Sequence, residues 1–384
     1  MSTTAVAPVS RRPQRPDPTG PIRITYVIDN LSRAGTETQL LALIRTLDRA
    51  KFEPTLILLD GENETSRALE PANCRVIRLG VTKLLSLSAL RAAKRVRAQW
   101  RQHPPAIVQA YFLDSSYFAV ALARRSGVPH VLRVRNNLGY WLTRKHRLLN
   151  RLMRPWVDLS LTNSETGRES LIRQDGLSPD RVMMIENGVD LDRFGDATPT
   201  FSGTVRVGCV ANLRPIKNID GLMRAARLVV ERFPNVVFEV AGEGEERSKL
   251  EALKQELNLG ERFVFRGRVD DVPQFLRSID MAVLPSHSES LSNAILEYMA
   301  AGRAIVATDV GANAKLIQHG REGVIVLPGN DQMLADGIGT LLQNPASARG
   351  MARLARARVA AGYSRDAMRT KFEELYLRLA NRPR

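Results

Sequence analysis

One alternation constrains the fold of this chain more than any other feature. Short runs rich in β-branched residues recur along it, and segments with apolar residues at helical spacing separate them. Residues 22–28 read as the first strand, and 39–47 carry apolar residues three and four apart. Residues 55–59, 75–79, 107–110, 130–134 and 159–162 repeat the strand signal, with helices expected at 84–100 and 116–125. A second series runs through 205–210, 236–241, 263–265, 281–284, 304–307 and 323–327, and closes with helices at 346–361 and 365–380. Strands joined this way must be parallel, because each connection has to cross back outside the sheet.

Two such series in 384 residues predict two Rossmann-like domains, since a single core does not grow to that size. The expected division is a tail over 1–20, a first domain over 21–194, a second over 195–364, and a final helix within 365–384. The 185–194 turn and the 198–203 stretch read as the linker. Sheets of this kind bind ligands beyond the carboxyl ends of their strands, so a cleft between the domains is the expected site.

Composition excludes several classes. The two cysteines, Cys74 and Cys209, make neither a disulfide framework nor a zinc site. The five histidines show no metal spacing, so no metal is expected. The first twenty residues lack the apolar segment of a signal peptide, and no run is long enough to span a bilayer. A cytoplasmic protein is expected, peripheral at most on the inner face of the cytoplasmic membrane. The net charge of +16 is uneven, with 17 basic residues and one acid, Asp114, between 71 and 157. Such a field favours an anionic partner: a lipid surface, a pyrophosphate-linked lipid or nucleic acid. The basic stretch 83–101 fits a crossover helix equally well. A nucleic-acid-binding role is disfavoured by the 5% aromatic content and the lack of any reading motif.

The most informative short segment is Glu289-Ser-Leu-Ser-Asn-Ala-Ile-Leu-Glu297. A strand ends at Leu284, a polar loop follows, and a helix opens near Ser292. The first N–H groups of a helix lack internal partners, so the amides of Leu291, Ser292 and Asn293 suit a diphosphate. Glu289 precedes the helix and Glu297 lies inside it. On spacing alone, a capped helix with two solvated glutamates fits as well.

The surroundings of this segment resemble the donor-binding signature of glycosyltransferase family 4. Pro285-Ser286 precedes the first glutamate, and Tyr298-Met-Ala-Ala-Gly-Arg-Ala-Ile-Val-Ala-Thr-Asp-Val-Gly311 follows the second. Departures are Ser290 for a usual glycine, Tyr298 for alanine, and Arg303-Ala304 where proline is frequent. The resemblance implies the GT-B fold, with the last helix crossing back to the first domain. It also implies a nucleotide-sugar co-substrate, no other cofactor, and retention of configuration. Glu289 would contact the transferred sugar and Glu297 the ribose.

Further positions follow from the same resemblance. Lys217 matches the usual diphosphate lysine. Asn212 stands at the commonest arginine position, and Arg214 lies two residues on. Gly242 and Gly244 match a turn near the nucleotide, while Arg266 and Gly267 fall in the stretch whose backbone reads the base. Gly35 matches a glycine loop after the first strand, and Gln109 replaces a frequent histidine. Arg135, Asn136 and Asn137 are the candidate acceptor contacts. The expected activity is transfer from a UDP- or GDP-sugar to a glycan or polyprenyl-linked acceptor, in cell-surface or extracellular polysaccharide synthesis. A nucleotide-sugar epimerase on the same fold is the alternative.

Overall fold

The computed structural model describes residues 20–60, 63–139, 142–195 and 198–381. The expected tail therefore lies almost wholly outside the described residues. Seven parallel strands form the first sheet: β1 (Ile22–Ile28), β2 (Phe52–Leu58), β3 (Arg75–Arg78), β4 (Ile107–Tyr111), β5 (His130–Val134), β6 (Leu159–Thr162) and β7 (Val182–Met184), in the order 3-2-1-4-5-6-7. Six parallel strands form the second: β8 (Val205–Val210), β9 (Val236–Ala241), β10 (Phe263–Gly267), β11 (Met281–Leu284), β12 (Ala304–Thr308) and β13 (Val324–Val326), in the order 10-9-8-11-12-13. In each sheet the chain winds outward from its first strand and then restarts on that strand's other side. The reversals fall between β1 and β4 and between β8 and β11, where a crevice opens at the carboxyl ends.

The strands are apolar on both faces because helices cover both. Val27, Val108, Ala110 and Val131 pack against the helices Leu87–Gln102 and Leu113–Arg125. Tyr26, Leu56 and Leu132 face the other layer, made by the helices Gly35–Thr46 and Arg365–Ala380. The last helix does cross back, seating Met368, Phe372, Leu375, Tyr376 and Leu379 in the first domain's core. This is the GT-B arrangement.

Two passages of chain join the halves, and they run side by side. Val189 N donates to Tyr363 O at 2.8 Å and Arg365 N donates to Val189 O at 3.1 Å. Among the elements the sequence reading did not place, two show why. The helix Arg144–Met153 has Asn150 as its only fully buried residue, so no inward apolar stripe announces it. The strand β7 is three residues at the sheet edge.

The structure gives Gln109 a role that the sequence left open. Its position replaces a frequent histidine, yet the side chain is fully buried within β4. It donates to Tyr111 Oη at 2.6 Å and accepts from Tyr376 Oη at 2.9 Å, and Tyr26 Oη donates to Tyr376 Oη at 3.1 Å. It serves the docking of the final helix and does not reach a ligand. Replacing Tyr376 with Phe strands the Gln109 oxygen, and we expect a loss of about 1–3 kcal/mol. A lower urea midpoint with an unchanged slope would register it.

Candidate active site

Beyond β11 the chain turns through Pro285 and Ser286 into a polar loop, and the helix Asn293–Ala300 opens behind it. Ser292 caps this helix, its hydroxyl accepting from Ile295 N at 3.3 Å. Among the described residues, the N–H groups of Leu291, Ser292 and Asn293 donate to no partner. The positive end of the helix is thus left to an anion.

The loop after β8 comes up against this one. His287 N donates to Ile216 O at 2.9 Å, and Asn218 Nδ2 donates to Pro285 O at 3.1 Å. These bonds bring Lys217 to Glu289, with Nζ 2.6 Å from Oε1. Ser286 Oγ donates to the same oxygen at 2.8 Å. The half-buried pair fixes both groups while leaving Lys217 two further N–H directions and Glu289 its second oxygen. Arg214 is not drawn into this cluster. Its side chain is exposed and forms no ion pair among the described residues.

The glycine turn holds the β8 loop from behind. Gly242 adopts φ +153°, and a Cβ there would stand 1.9 Å from Ala211 O. A Cβ on Gly244 would stand 2.4 Å from Leu213 O, and Leu213 N donates to Glu243 O at 3.0 Å. Gly267 ends β10 in a bulge with φ +68°, its carbonyl accepting from Gly242 N at 2.8 Å. Arg266 is spent elsewhere: its guanidinium grips both oxygens of Glu239, at 2.9 and 3.0 Å. Burial alone would raise the Glu239 carboxyl, but Arg266 and Arg206 together hold it below the usual range. The Arg266 side chain is therefore structural, and a ligand role rests on backbone alone.

Glu297 stands apart from the lysine pair. Its carboxylate accepts no hydrogen bond among the described residues, and burial pushes it up to about 7 against the opposing pull of Arg193 and Arg365. Those arginines come from the linker and from the start of the final helix. An unpartnered, partly buried carboxyl of this kind is an available acceptor for paired hydroxyls.

The first domain meets these loops directly. Gly35 opens the helix Gly35–Thr46, and a Cβ there would lie 2.5 Å from Asn293 Nδ2. Asn293 Oδ1 accepts from Asn187 Nδ2 at 2.7 Å and from Gln39 Nε2 at 3.2 Å. Ser290, the departure from glycine, is held by Ser164 Oγ at 2.7 Å and donates to Asn163 Oδ1 at 2.8 Å. Arg33 pairs with Asp270 across the same gap. Sequence reasoning missed this seam because no local pattern marks residues that meet only through folding.

The three acceptor candidates divide. Arg135 is already engaged: its buried guanidinium pairs with Asp175 at 3.3 Å and donates to Ser170 Oγ at 3.1 Å. Asn137 accepts from Gly139 N at 3.0 Å and shapes its own loop. Asn136 remains open. It lines two small adjoining cavities of about 20 Å³ each, shared with Thr36 and Val134, and Arg135 and Asn137 also line the second. Phe112, also at this cavity, holds φ +61°, a left-handed conformation that costs a bulky residue of order 1–3 kcal/mol. Nothing in the sequence signals it. No group of three or more His, Cys, Asp or Glu among the described residues is placed to hold a metal.

Two facing parallel-sheet domains with this cleft define a GT-B glycosyltransferase. The family description "Glycosyl transferase 4-like domain" matches residues 34–188, and "Glycosyl transferases group 1" matches 204–344. The Escherichia coli UDP-Gal:alpha-D-GlcNAc-diphosphoundecaprenol alpha-1,3-galactosyltransferase is 25% identical over 333 residues, 79% of this chain and 84% of its own. Glycogen synthase of Mycobacterium tuberculosis is 28% identical over 290 residues, 72% and 67% of the two chains. The solved structure of Anabaena Alr3699/HepE in complex with UDP and glucose superposes with a TM-score of 0.81 at 19% identity, over 92% of this chain and 99% of that one. The chain belongs to the family-4 type of glycosyltransferases, and none of these relatives favours an epimerase.

The Glu297 carboxyl gives the site a pH signature. The folded chain holds this proton more tightly than the unfolded chain, whose ordinary value is 4.5. Its stabilising contribution is complete below that value and is lost as the pH rises through about 7. Glu297→Gln is therefore expected to melt like the parent near pH 5 and at a higher temperature near pH 8, read by calorimetry at both.

Proposed function

We propose that this chain transfers a sugar from a UDP- or GDP-sugar to a hydroxyl of a glycan or polyprenyl-linked acceptor, with retention of configuration and without a metal ion or other cofactor. The observation that carries the reading is the Lys217–Glu289 contact of 2.6 Å beside a helix start with open N–H groups. A departing diphosphate needs fixed positive charge, and a lysine with helix amides supplies it without a metal.

In this reading the bond from the sugar's anomeric carbon to the phosphate oxygen breaks while the acceptor oxygen bonds that carbon on the same face. The acceptor hydroxyl proton passes to the leaving phosphate oxygen. Lys217 and the amides of Leu291, Ser292 and Asn293 offset the growing charge, and Arg214 reaches the same phosphates once a donor is bound. Glu289 orients the sugar through its free oxygen, and Glu297 accepts the ribose hydroxyls. Asn136, open beside the cleft, contacts the acceptor.

The relatives support the donor and acceptor classes. The E. coli enzyme's name specifies UDP-Gal and a diphosphoundecaprenol-linked sugar, and the Anabaena structure holds UDP. Assembly of a cell-surface or extracellular polysaccharide at the inner face of the cytoplasmic membrane fits both.

Thermal-shift screening against UDP-, GDP- and ADP-sugars would identify the donor, with stabilisation expected from a uridine or guanosine sugar alone. Lys217→Ala should lower kcat on that donor by roughly 10²–10³-fold, with the parent's turnover unchanged in EDTA. Full activity of Lys217→Ala, or loss of parental activity in EDTA, would overturn the metal-independent reading. A Glu297→Ala protein that binds the donor as tightly as the parent would sink the ribose assignment.

A further inference from the structure

The helix Arg144–Met153 is folded against the usual rule. A surface helix turns its apolar stripe inward, yet here the inward residue is Asn150, 3% exposed. Tyr117 Oη donates to Asn150 Oδ1 at 3.2 Å, and Asn150 Nδ2 donates to Asp175 Oδ1 at 3.3 Å. These bonds fix the helix's rotation. They leave Leu148, Leu149 and Leu152 pointing outward at 59%, 44% and 64% exposure, with Trp156 half-exposed just beyond.

A second exposed set lies on the same layer. Leu85, Leu87 and Leu90 project from the start of the helix Leu87–Gln102. The buried sides of both stretches feed one core: Ala89, Val96 and Trp100 from the first, and Val157 with Met153 from the second, with Ala119 and Val120 between them. The other large exposed apolar residues, Leu327, Met333 and Leu354, are scattered over the second domain. Both helices begin at the carboxyl ends of β3 and β5, the edge of the sheet where the cleft opens.

Charge decides what covers this face. Lys83, Arg91 and Lys94 surround the first leucine set, and Arg144, Lys145, Arg147 and Arg151 surround the second. The stretch 71–157 carries 17 basic residues against one acid. A second copy would set like charge against like. A bilayer with anionic headgroups matches both parts, its phosphates meeting the cations and its acyl boundary taking the leucines. No helix among the described residues is long and apolar enough to cross a membrane, so such contact lies in the interface plane.

We infer that residues 85–90 and 144–156 form a docking face for an anionic lipid surface, set so that the first domain's side of the cleft opens beside the bilayer. The inference does not depend on the donor or acceptor, because its test reads partitioning without turnover. The full chain is sedimented with vesicles of phosphatidylcholine alone and with a third of phosphatidylglycerol. Two variants go beside it, Leu148→Ser/Leu149→Ser/Leu152→Ser and Leu85→Ser/Leu87→Ser/Leu90→Ser. The parent should bind the mixed vesicles and not the neutral ones, and each variant should lose at least tenfold in partitioning while keeping its circular dichroism and melting temperature. Failure of the parent to bind mixed vesicles overturns the inference. So does equal binding by both variants, which would leave bulk charge as the cause. A parent that self-associates in solution while the variants stay monomeric overturns it in favour of a second copy of the chain.

Discussion

The peptide between Glu289 and Ser290 is the point to which both domains are fitted. On one side Gly311, at φ +57°, comes so close that a Cβ would stand 2.1 Å from Glu289 O. On the other, the Ser290 hydroxyl is held by Asn163 and Ser164 of the first domain. Ala312 N closes the contact by donating to Ser290 O at 2.9 Å. With the backbone clamped from both sides, the Glu289 carboxylate has little freedom left, and Lys217 is placed by reference to it. The donor machinery thus inherits its geometry from backbone packing. Polar attraction between the two side chains fixes only the final step.

Charge is used in two ways. Arg135, Arg133 and Asp175 form a buried cluster, and Arg266 closes on buried Glu239. Taking Arg135 or Arg266 for a ligand would leave a buried carboxylate with one arginine where it now has two, a cost to the fold. Lys217 and Glu297 are different. One is paired with donors to spare, and the other is held without a partner in a place that resists its charge. Groups left unsatisfied by the fold are the ones free to meet a ligand.

The departures from the family pattern become intelligible in the same terms. Tyr298 fills the space behind the site, its hydroxyl accepting from Val210 N at 2.7 Å at the end of β8. Arg303 is almost wholly buried and donates to Ala301 O at 2.9 Å and Ile279 O at 2.7 Å, closing the end of the helix that Ser292 opens. Burial lowers its guanidinium to about 10. Ser290 adds the inter-domain bonds that a glycine would lack. Each substitution brings its own hydrogen-bond partners, so the fold is kept.

The sequence by itself determined the two α/β series, most strand positions and the helix that follows Glu289. These are local matters, because β-branched runs, apolar periodicity and an N-cap serine act within a few residues. It also brought Lys217, Glu297 and the Gly242 turn into view through their resemblance to a known pattern. It did not reveal the Arg144–Met153 helix, whose inward residue is polar, or the strained turn at Phe112. Nor did it reveal the seam of Gln39, Asn187, Asn163 and Ser164. Nor did it show that the polar ends of Arg135 and Gln109 are engaged by buried partners. A polar residue at a strand end reads the same whether it faces the cleft or a buried partner forty or more residues away. Only the tertiary structure, by bringing Asp175 to Arg135 and Tyr376 to Gln109, decided which polar groups were spent and which were left for chemistry.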